Sequence, residues 1–349
     1  MISIGMDVHI RNSYLHAVDP DGTTRFRGRC RNSLQELAEA LSQFEGEAVQ
    51  LSLESTTNSR AIHRLVCQAA ANMGVDMTAQ VLDARKLRII AESVTKNDRF
   101  DAAVLADLTR VDLRLPVCYL PDDDEFALRE HLRSRQDLVT LRTRLKNRVH
   151  SVLHRRGVLV PSKMDLFTVA GREFLSGLTL DDAGRDILDR YLAMVDQLNA
   201  SVAESTKSLQ KLAREPRWSK RVALLKTMPG IGPITSLMIL AELGSLDRFK
   251  NRSAVANYAG LVPTLRSSNT THHYGHITKR GPKHLRGVLV EAAWMSAPRV
   301  PQYQALFNRV AGRRGKKIAI VAVARRMLED AWVMLMKDEA FRMTQSDVG

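Results

Sequence analysis

Two short apolar runs near the start of the chain each carry a carboxylate, which restricts the fold more than any other feature. Asp7 lies within Ile2-Ser3-Ile4-Gly5-Met6-Asp7-Val8, and Glu54 ends Ala48-Val49-Gln50-Leu51-Ser52-Leu53-Glu54. A carboxylate in or beside a buried strand is costly unless it is paired or bound to a cation. We therefore expect both acids to have a partner of this kind.

A second pair of acids, Asp98 and Asp101, stands at the front of a helical pattern. Residues three apart share one face of a helix, so both can be presented to one site. Taken singly, such acids are usually solvated, and Asp7 could instead cap a turn. Together, the four suggest hard ions with oxygen ligands, such as Mg²⁺. Two such ions about 4 Å apart can activate an attacking oxygen and stabilise a leaving one in phosphoryl transfer.

The order of predicted elements explains how acids so far apart in sequence can meet. Alternating apolar residues predict three antiparallel strands. After them, the spacing of apolar residues predicts helices that alternate with strands. The strands are predicted over 2–8, 13–18, 24–30, 48–54 and 77–82, with helices from Ser33 and over 57–73. This is the RNase H order, an α/β fold. It places Asp7 and Glu54 on neighbouring central strands.

A domain boundary is expected near residue 120, where Pro116 and Pro121 flank an extended stretch before four consecutive acids. Long helical patterns follow over 126–158 and 188–212. They predict a helical hairpin or coiled-coil-like arm, although a bundle without an assembly role fits the irregular heptads nearly as well. We divide the chain into an α/β domain (1–120), a helical arm (121–218) and a mainly helical C-terminal domain (219–349).

The C-terminal domain contains three polar or glycine-rich segments that could contact phosphate. Pro229-Gly230-Ile231-Gly232 separates two helices, and its backbone N–H groups could hold a phosphate, although a plain helix turn is equally consistent. A polar stretch over 266–276, interpreted as a loop, carries Ser268 near several cations and histidines. A basic loop is predicted over 313–317.

The charge of the chain indicates a polyanionic partner. Lys and Arg number 52 against 38 acids, giving a formal charge of +14. This balance favours nucleic acid over a membrane surface, whereas the aromatic content of 5% argues against base stacking. The predicted contact residues are Arg142, Lys146, Arg148, Gly230, Gly232, Arg266, Lys279, Arg280, Arg313, Arg314, Lys316 and Lys317.

The cellular setting follows from what the sequence lacks. The three cysteines are widely spaced and form neither a metal-type pair nor a disulfide framework. The N-terminus opens into a strand pattern without a signal peptide, and no apolar run is long enough to span a membrane. We therefore expect a cytoplasmic protein.

Ser268 is a candidate nucleophile. A serine can attack phosphorus and hold a covalent phosphoester, which conserves the bond energy needed for rejoining strands. Neighbouring cations, among them Arg266, Lys279 and Arg280, would stabilise the charge of the phosphorane. A serine in a polar segment usually has no such role, and the adjacent His272 and His273 lack the further ligand that a metal site needs.

Motifs in both halves resemble the insertion-sequence "one-ten" family of transposases, which includes the Piv DNA invertases. The front half carries Gly5-Met6-Asp7, Leu53-Glu54-Ser55-Thr56 and Lys96-Asn97-Asp98-Arg99-Phe100-Asp101-Ala102. The back half carries Pro229-Gly230-Ile231-Gly232, Phe249, Tyr258-Ala259-Gly260-Leu261-Val262-Pro263 and Ile277-Thr278-Lys279-Arg280-Gly281. The family's catalytic serine follows the Gly-Leu-x-Pro motif, which matches Ser268. Asn269 stands at the usual glycine position, and Ser267 is adjacent.

The resemblance implies a DNA recombinase in which a RuvC-like domain and the serine domain form a composite site. It also implies a helical arm that joins dimers and tetramers. A structured bridge RNA would pair with donor and target double-stranded DNA, and strands would exchange through serine-linked DNA and a Holliday-type junction. The protein would then act in a bacterial cytoplasm, at the nucleoid.

We therefore expect an Mg²⁺-dependent, RNA-guided transposase, with Asp7, Glu54, Asp98 and Asp101 as metal ligands and Ser268 as nucleophile. One alternative is a RuvC-like hydrolytic nuclease or Holliday-junction resolvase, in which water attacks and Ser268 is structural. The other is an architectural nucleic-acid binder with a degenerate site.

Overall fold

The computed structural model describes residues 1–90, 98–111, 115–268 and 271–343. Within these ranges, the side chains of 88–90, 98, 265–268 and 271–274 lie outside the description. The chain forms two compact units, Met1–Leu120 and Pro121–Gly349. None of the described helices is long and apolar enough to cross a lipid bilayer.

The first unit is an α/β layer structure built on a five-stranded sheet. Its elements are β1 (Ile2–Val8), β2 (Asn12–Val18), β3 (Thr24–Arg31), α1 (Leu34–Ser42), β4 (Ala48–Glu54), α2 (Ser59–Asn72), β5 (Asp76–Leu82), α3 (Ala84–Ile90) and α4 (Asp98–Arg110). The strand order is β3-β2-β1-β4-β5, with β1, β2 and β3 antiparallel and β4 and β5 parallel to β1. The predicted strands and their order are confirmed.

The sheet is covered on both faces, which explains the nearly continuous burial of β1. On one face, Ile4, Met6, Leu51 and Leu53 pack with helices α1 and α2 in one apolar core. On the other face lies α4, so that Ser3 and Gly5 are buried as well. Burial of each large aliphatic side chain contributes about 1.5–3 kcal/mol.

The second unit is mainly helical, as predicted. Its elements are α5 (Asp123–Arg155), α6 (Val169–Ser176), α7 (Asp182–Leu212), α8 (Pro216–Leu225), α9 (Pro233–Leu243), α10 (Arg252–Tyr258), β6 (Pro263–Ser268), β7 (Thr271–Ile277), α11 (Lys283–Ser296), α12 (Pro301–Arg314) and α13 (Lys316–Lys337). The apolar helix α9 lies at the centre of its core.

Helices α5 and α7 pack side by side in opposite directions. Arg135 donates to Thr206, and Arg142 donates to Asn199. A later residue of α5 thus contacts an earlier residue of α7, as in an antiparallel pair. Leu188, Val195, Val202 and Leu209 are buried on α7 at seven-residue intervals. The helical hairpin is thus present, and its base joins the core of the unit through Leu128 and Leu132. Whether it serves as an assembly arm stays a prediction.

Two segments interpreted as loops are ordered elements. The polar stretch 266–276 falls largely on β6 and β7, a hairpin in which Ser268 pairs with Thr271. The basic stretch 313–317 contains the end of α12 and the start of α13, separated by Gly315 alone, at φ 83°. Polar composition concealed both, since a short polar hairpin and polar helix ends show little alternation of hydrophobicity.

Candidate active site and nucleic-acid interface

Gly5 lets helix α4 approach the backbone of the central strand. A Cβ atom at this position would lie 2.0 Å from the carbonyl oxygen of Ala102 and 2.4 Å from the amide nitrogen of Ala106. Any side chain would therefore push α4 away from β1. The Gly5-Met6-Asp7 motif thus combines a carboxylate with the contact that positions the helix carrying the other two aspartates.

Contacts at the other end of α4 fix its direction. Arg110, its last residue, donates to the carbonyl of Pro20 at 3.5 Å and lies against Gly22. These residues follow Val18, which pairs with Ser3 at the start of β1. Helix α4 therefore runs antiparallel to β1, and its first turn lies toward the end of that strand. Asp7 lies two residues beyond Gly5, which is about 6.6 Å along the strand. About four helical residues cover the same length. The first turn of α4, which precedes the segment against Gly5 by about that many residues, is therefore level with Asp7.

Asp7 and Glu54 lie near the ends of neighbouring parallel strands, on the face that α4 covers. The register pairs Gly5 with Ser52 and Met6 with Leu53, so the two acids follow at the next position of each strand. Thr109 of α4 donates to the Ser52 hydroxyl at 2.7 Å, which places this face of β4 under the helix. Alternation along the strands then assigns both carboxylates to the same side.

His9 is a neighbour of Asp7 that sequence reasoning missed. Its Nε2 lies 3.2 Å from Oδ2 of Asp7, whose side chain is 15% exposed. The backbone carbonyl of His9 accepts hydrogen bonds from Asn32 at 2.7 Å and Asn58 at 3.1 Å. The spacing Asp7-Val8-His9 was the available signal, because residues two apart on a strand share a face.

The donor set suits a hard divalent ion, since carboxylate oxygens are the ligands that Mg²⁺ prefers. Asp7, Glu54 and Asp101 are partly buried, and the side chain of Asp98 lies outside the described residues. Among the side chains that are described, no group of three His, Cys, Asp or Glu is placed to hold a metal ion. Binding of metal by the four acids therefore stays a prediction.

Ser268 is the last residue of β6, at the end of the hairpin. Register pairs join Ser268 to Thr271, Ser267 to His272 and Arg266 to His273. Asn269 and Thr270 lie outside the described residues, as do the side chains of these paired residues. Its role as nucleophile stays a prediction, now attached to a strand end instead of a loop.

Two of the sequence motifs meet at the base of this hairpin. A Cβ at Gly260 would lie 2.1 Å from the carbonyl oxygen of Arg280, and one at Gly281 would lie 2.0 Å from that of Tyr258. Both glycines have positive φ, as does Lys279. Because these backbones touch, the Tyr-Ala-Gly and Lys-Arg-Gly segments hold the start of β6 and the end of β7 at one place.

A groove of about 830 Å³ lies beside the hairpin base. Its cations are Lys279, Arg314, Lys316, Lys317 and Arg325, and its apolar lining includes Leu261, Pro263, Ile277, Ile318 and Val321. Arg325 pairs with Glu329 at 2.8 Å. The three cations at the α12–α13 junction are exposed, with no acid in the first turn of α13. The charge of this surface suits an anionic backbone at the hairpin base, whereas Ser268 lies at the opposite end of β6.

Other predicted contact residues are placed differently. Arg148 is exposed, whereas Arg142 is half-buried against α7 and Lys146 lies 4.3 Å over the Phe167 ring. A Cβ at Gly230 would lie 2.7 Å from the carbonyl of Ala292, so this glycine allows close packing of α11. For Gly232, which caps α9, the Cβ position is open. Nucleic-acid contact by these residues stays a prediction.

Known proteins similar to this chain include transposases and a pilin gene-inverting protein. The chain is 24% identical over 346 residues to the transposase of insertion sequence element IS1328 from Yersinia enterocolitica, covering 97% of this chain and 98% of that protein. It is 30% identical over 202 residues to the y4qE protein of Sinorhizobium fredii, covering 57% of this chain but only 47%, about half, of that protein. It is 31% identical over 129 residues to the pilin gene-inverting protein of Moraxella bovis, covering 36% of this chain and 40% of that protein.

Two family models match successive parts of the sequence. A DEDD transposase model of the IS110 group matches residues 4–156, which include all four acids. A second model, described as the IS116/IS110/IS902 transposase family, matches residues 222–308, which include the hairpin and Ser268. Together they match about two thirds of the chain, and the chain belongs to the IS116/IS110/IS902 family of transposases, enzymes that recombine DNA.

Proposed function

We propose that this transposase cuts and rejoins double-stranded DNA with the four acids and Ser268 as its catalytic residues. The observation that supports it most directly is the direction of α4. Helix α4 runs antiparallel to β1, so its first turn, which carries Asp98 and Asp101, lies toward the strand end that carries Asp7. These four carboxylates would hold Mg²⁺, which activates an oxygen nucleophile and stabilises the leaving oxygen.

In the proposed reaction, the hydroxyl oxygen of Ser268 attacks a DNA phosphorus and displaces one strand end. The serine proton leaves to a base, and the displaced oxygen takes up a proton, so that the phosphodiester count is unchanged. Attack by a hydroxyl of another strand then releases the serine and seals the new joint. The cations of the hairpin groove, Lys279, Arg314, Lys316 and Lys317, would hold phosphates further along the DNA, at the base of the hairpin.

We further propose that sequence choice comes from a structured bridge RNA that pairs with donor and target DNA. The formal charge of +14 suits two nucleic-acid partners, and contacts to phosphates carry no sequence information by themselves. The antiparallel pair α5–α7 would join copies into dimers and tetramers through faces other than the stripe of α7 that is already buried within the chain. The site of action would be the bacterial nucleoid, in the cytoplasm.

Trapping of a covalent protein–DNA species tests this proposal. With Mg²⁺, the RNA of its own element and labelled DNA, the unaltered chain should give an adduct on a denaturing gel. Ser268→Ala should abolish it and Ser267→Ala should not. Asp7→Asn, or chelation of the metal, should abolish cleavage and leave DNA binding unchanged.

Different failures would have different meanings. Cleavage without any adduct would make the protein a hydrolytic nuclease or junction resolvase. An adduct mapped to Ser267 would move the nucleophile by one residue. Binding without cleavage under all of these conditions would leave an architectural role.

A further inference from the structure

Strand β3 carries an arginine at every second position of its second half. Arg27, Arg29 and Arg31 are exposed, while the intervening Gly28 and Cys30 are partly or fully buried toward the core. Successive side chains of a strand point to opposite faces, so the three arginines share one face of the sheet. Because β3 is an edge strand, no strand among the described residues lies beyond this row.

The register of the sheet places this row on the face of the catalytic acids. Asp7 pairs with Tyr14, and Tyr14 pairs with Arg29. Residues directly opposite one another on neighbouring strands project to the same side, so these three form one line across the sheet. With strands about 4.8 Å apart, the backbone of Arg29 lies about 10 Å from that of Asp7.

Arg27 and Arg29 differ from the arginines on either side of them, which form ion pairs with acids. Arg31 has Glu36 at 3.7 Å, and Arg25, at the bulge of β3, has Asp19 and Glu47 at 3.2 Å each. For Arg27 and Arg29, by contrast, the part of the chain that the structure describes provides no carboxylate in an ion pair. Positive charge is therefore in excess at the two positions opposite His16 and Tyr14.

We propose that Arg27 and Arg29, with Tyr14, bind the phosphate backbone of DNA on its way to the acid site. An arginine fork binds phosphate through two parallel hydrogen bonds, and a partly exposed tyrosine hydroxyl can donate a further one. The occupant is DNA because the line ends at Asp7, where DNA is cut under the proposed function, on which this inference rests. The row thus holds the strand next to the scissile phosphate.

Equilibrium binding separates this role from general electrostatics. The double variant Arg27→Ala/Arg29→Ala is compared with Arg25→Ala/Arg31→Ala, which removes the same charge from the same strand but from cations that already have acid partners. Affinity for duplex DNA is measured across salt concentrations. Loss of two phosphate contacts should lower the slope of log K against log salt by about 1.8. The control should change it by less than half as much.

The outcomes are distinct. Equal slopes for the two double variants, or an unchanged slope for Arg27→Ala/Arg29→Ala, would overturn the proposal. The proposal would also be overturned if Arg27→Ala/Arg29→Ala lowered the salt slope for binding of the bridge RNA but not for binding of DNA, because the arginines would then bind the guide. Charged residues on an edge strand also prevent pairing between chains; self-association in gel filtration with an unchanged DNA slope would identify that role instead. Because equilibrium binding does not require cleavage, this test does not depend on whether the proposed serine and metal chemistry is correct.

Discussion

Gly5 allows the packing contact that positions the helix carrying two of the proposed catalytic acids. Its missing side chain lets α4 lie against β1, and α4 carries two of the four acids. The sequence showed the glycine next to Asp7, but a glycine within a strand pattern has several explanations. Only the contact with Ala102 and Ala106 reveals that the helix backbone occupies the space.

Gly5→Ala should destabilise the first unit by about 1–3 kcal/mol, because the added methyl group overpacks the helix contact. It should also abolish cleavage by shifting the first turn of α4. The measurement is denaturation followed by far-UV circular dichroism. The three tryptophans, Trp218, Trp294 and Trp332, all lie in the second unit, so their fluorescence reports on that unit alone.

Gly287→Ala is the matched control for that substitution. Gly287 is exposed within α11, and its Cβ position has no atom within 4 Å. Alanine there should stabilise the second unit by about 0.5–1 kcal/mol, since glycine is the poorer helix former. A stabilising or neutral Gly5→Ala would contradict the contact between α4 and β1.

At the scale of elements, α5 is anchored by a buried arginine. Arg129 is 8% exposed and donates through Nε to the carbonyl of Ala241 at 2.6 Å, in the last turn of α9. Arg248 donates to the carbonyl of Leu243 at 3.0 Å in the same turn. These contacts satisfy carbonyls that a helix end leaves without partners and fix the base of the helical hairpin to the core.

Arg129→Met should lower the free energy of unfolding of the second unit by about 1–3 kcal/mol, because it leaves a buried carbonyl unsatisfied. Tryptophan fluorescence during urea denaturation measures this. Arg144→Met, at an exposed position of the same helix, is the control and should change stability by less than about 0.5 kcal/mol. Equal effects of the two substitutions would mean that Arg129 does not anchor the helix.

At the scale of the whole molecule, the excess of cations over acids should govern nucleic-acid affinity. For the unaltered chain, log K for DNA should fall linearly with log salt, with a slope of about −0.9 for each phosphate contacted. Combined alanine substitution of Arg313, Arg314, Lys316 and Lys317 should reduce the magnitude of that slope. A flat salt response would indicate that the basic surface binds a protein instead.

The sequence alone determined the sheet of the first unit and the helical character of the second, and it predicted the four acids as a site. These predictions rest on local signals, each visible within a short stretch of sequence. The signals are the spacing of apolar residues, the turn residues, and carboxylates within apolar runs. The position of Asp7 and Glu54 on neighbouring strands followed too, because parallel neighbours in this strand order end at one edge of the sheet.

Tertiary structure decided everything that depends on register and on which backbones touch. The polar stretch around Ser268 reads as a loop because its strand pairing is not visible in composition. His9, Arg27 and Arg29 stand out only once register connects them to Asp7. The direction of α4 likewise depends on contacts between residues about a hundred positions apart, such as Gly5 with Ala102. Such contacts have no local signature, since they are set by packing and not by the residues beside them in sequence.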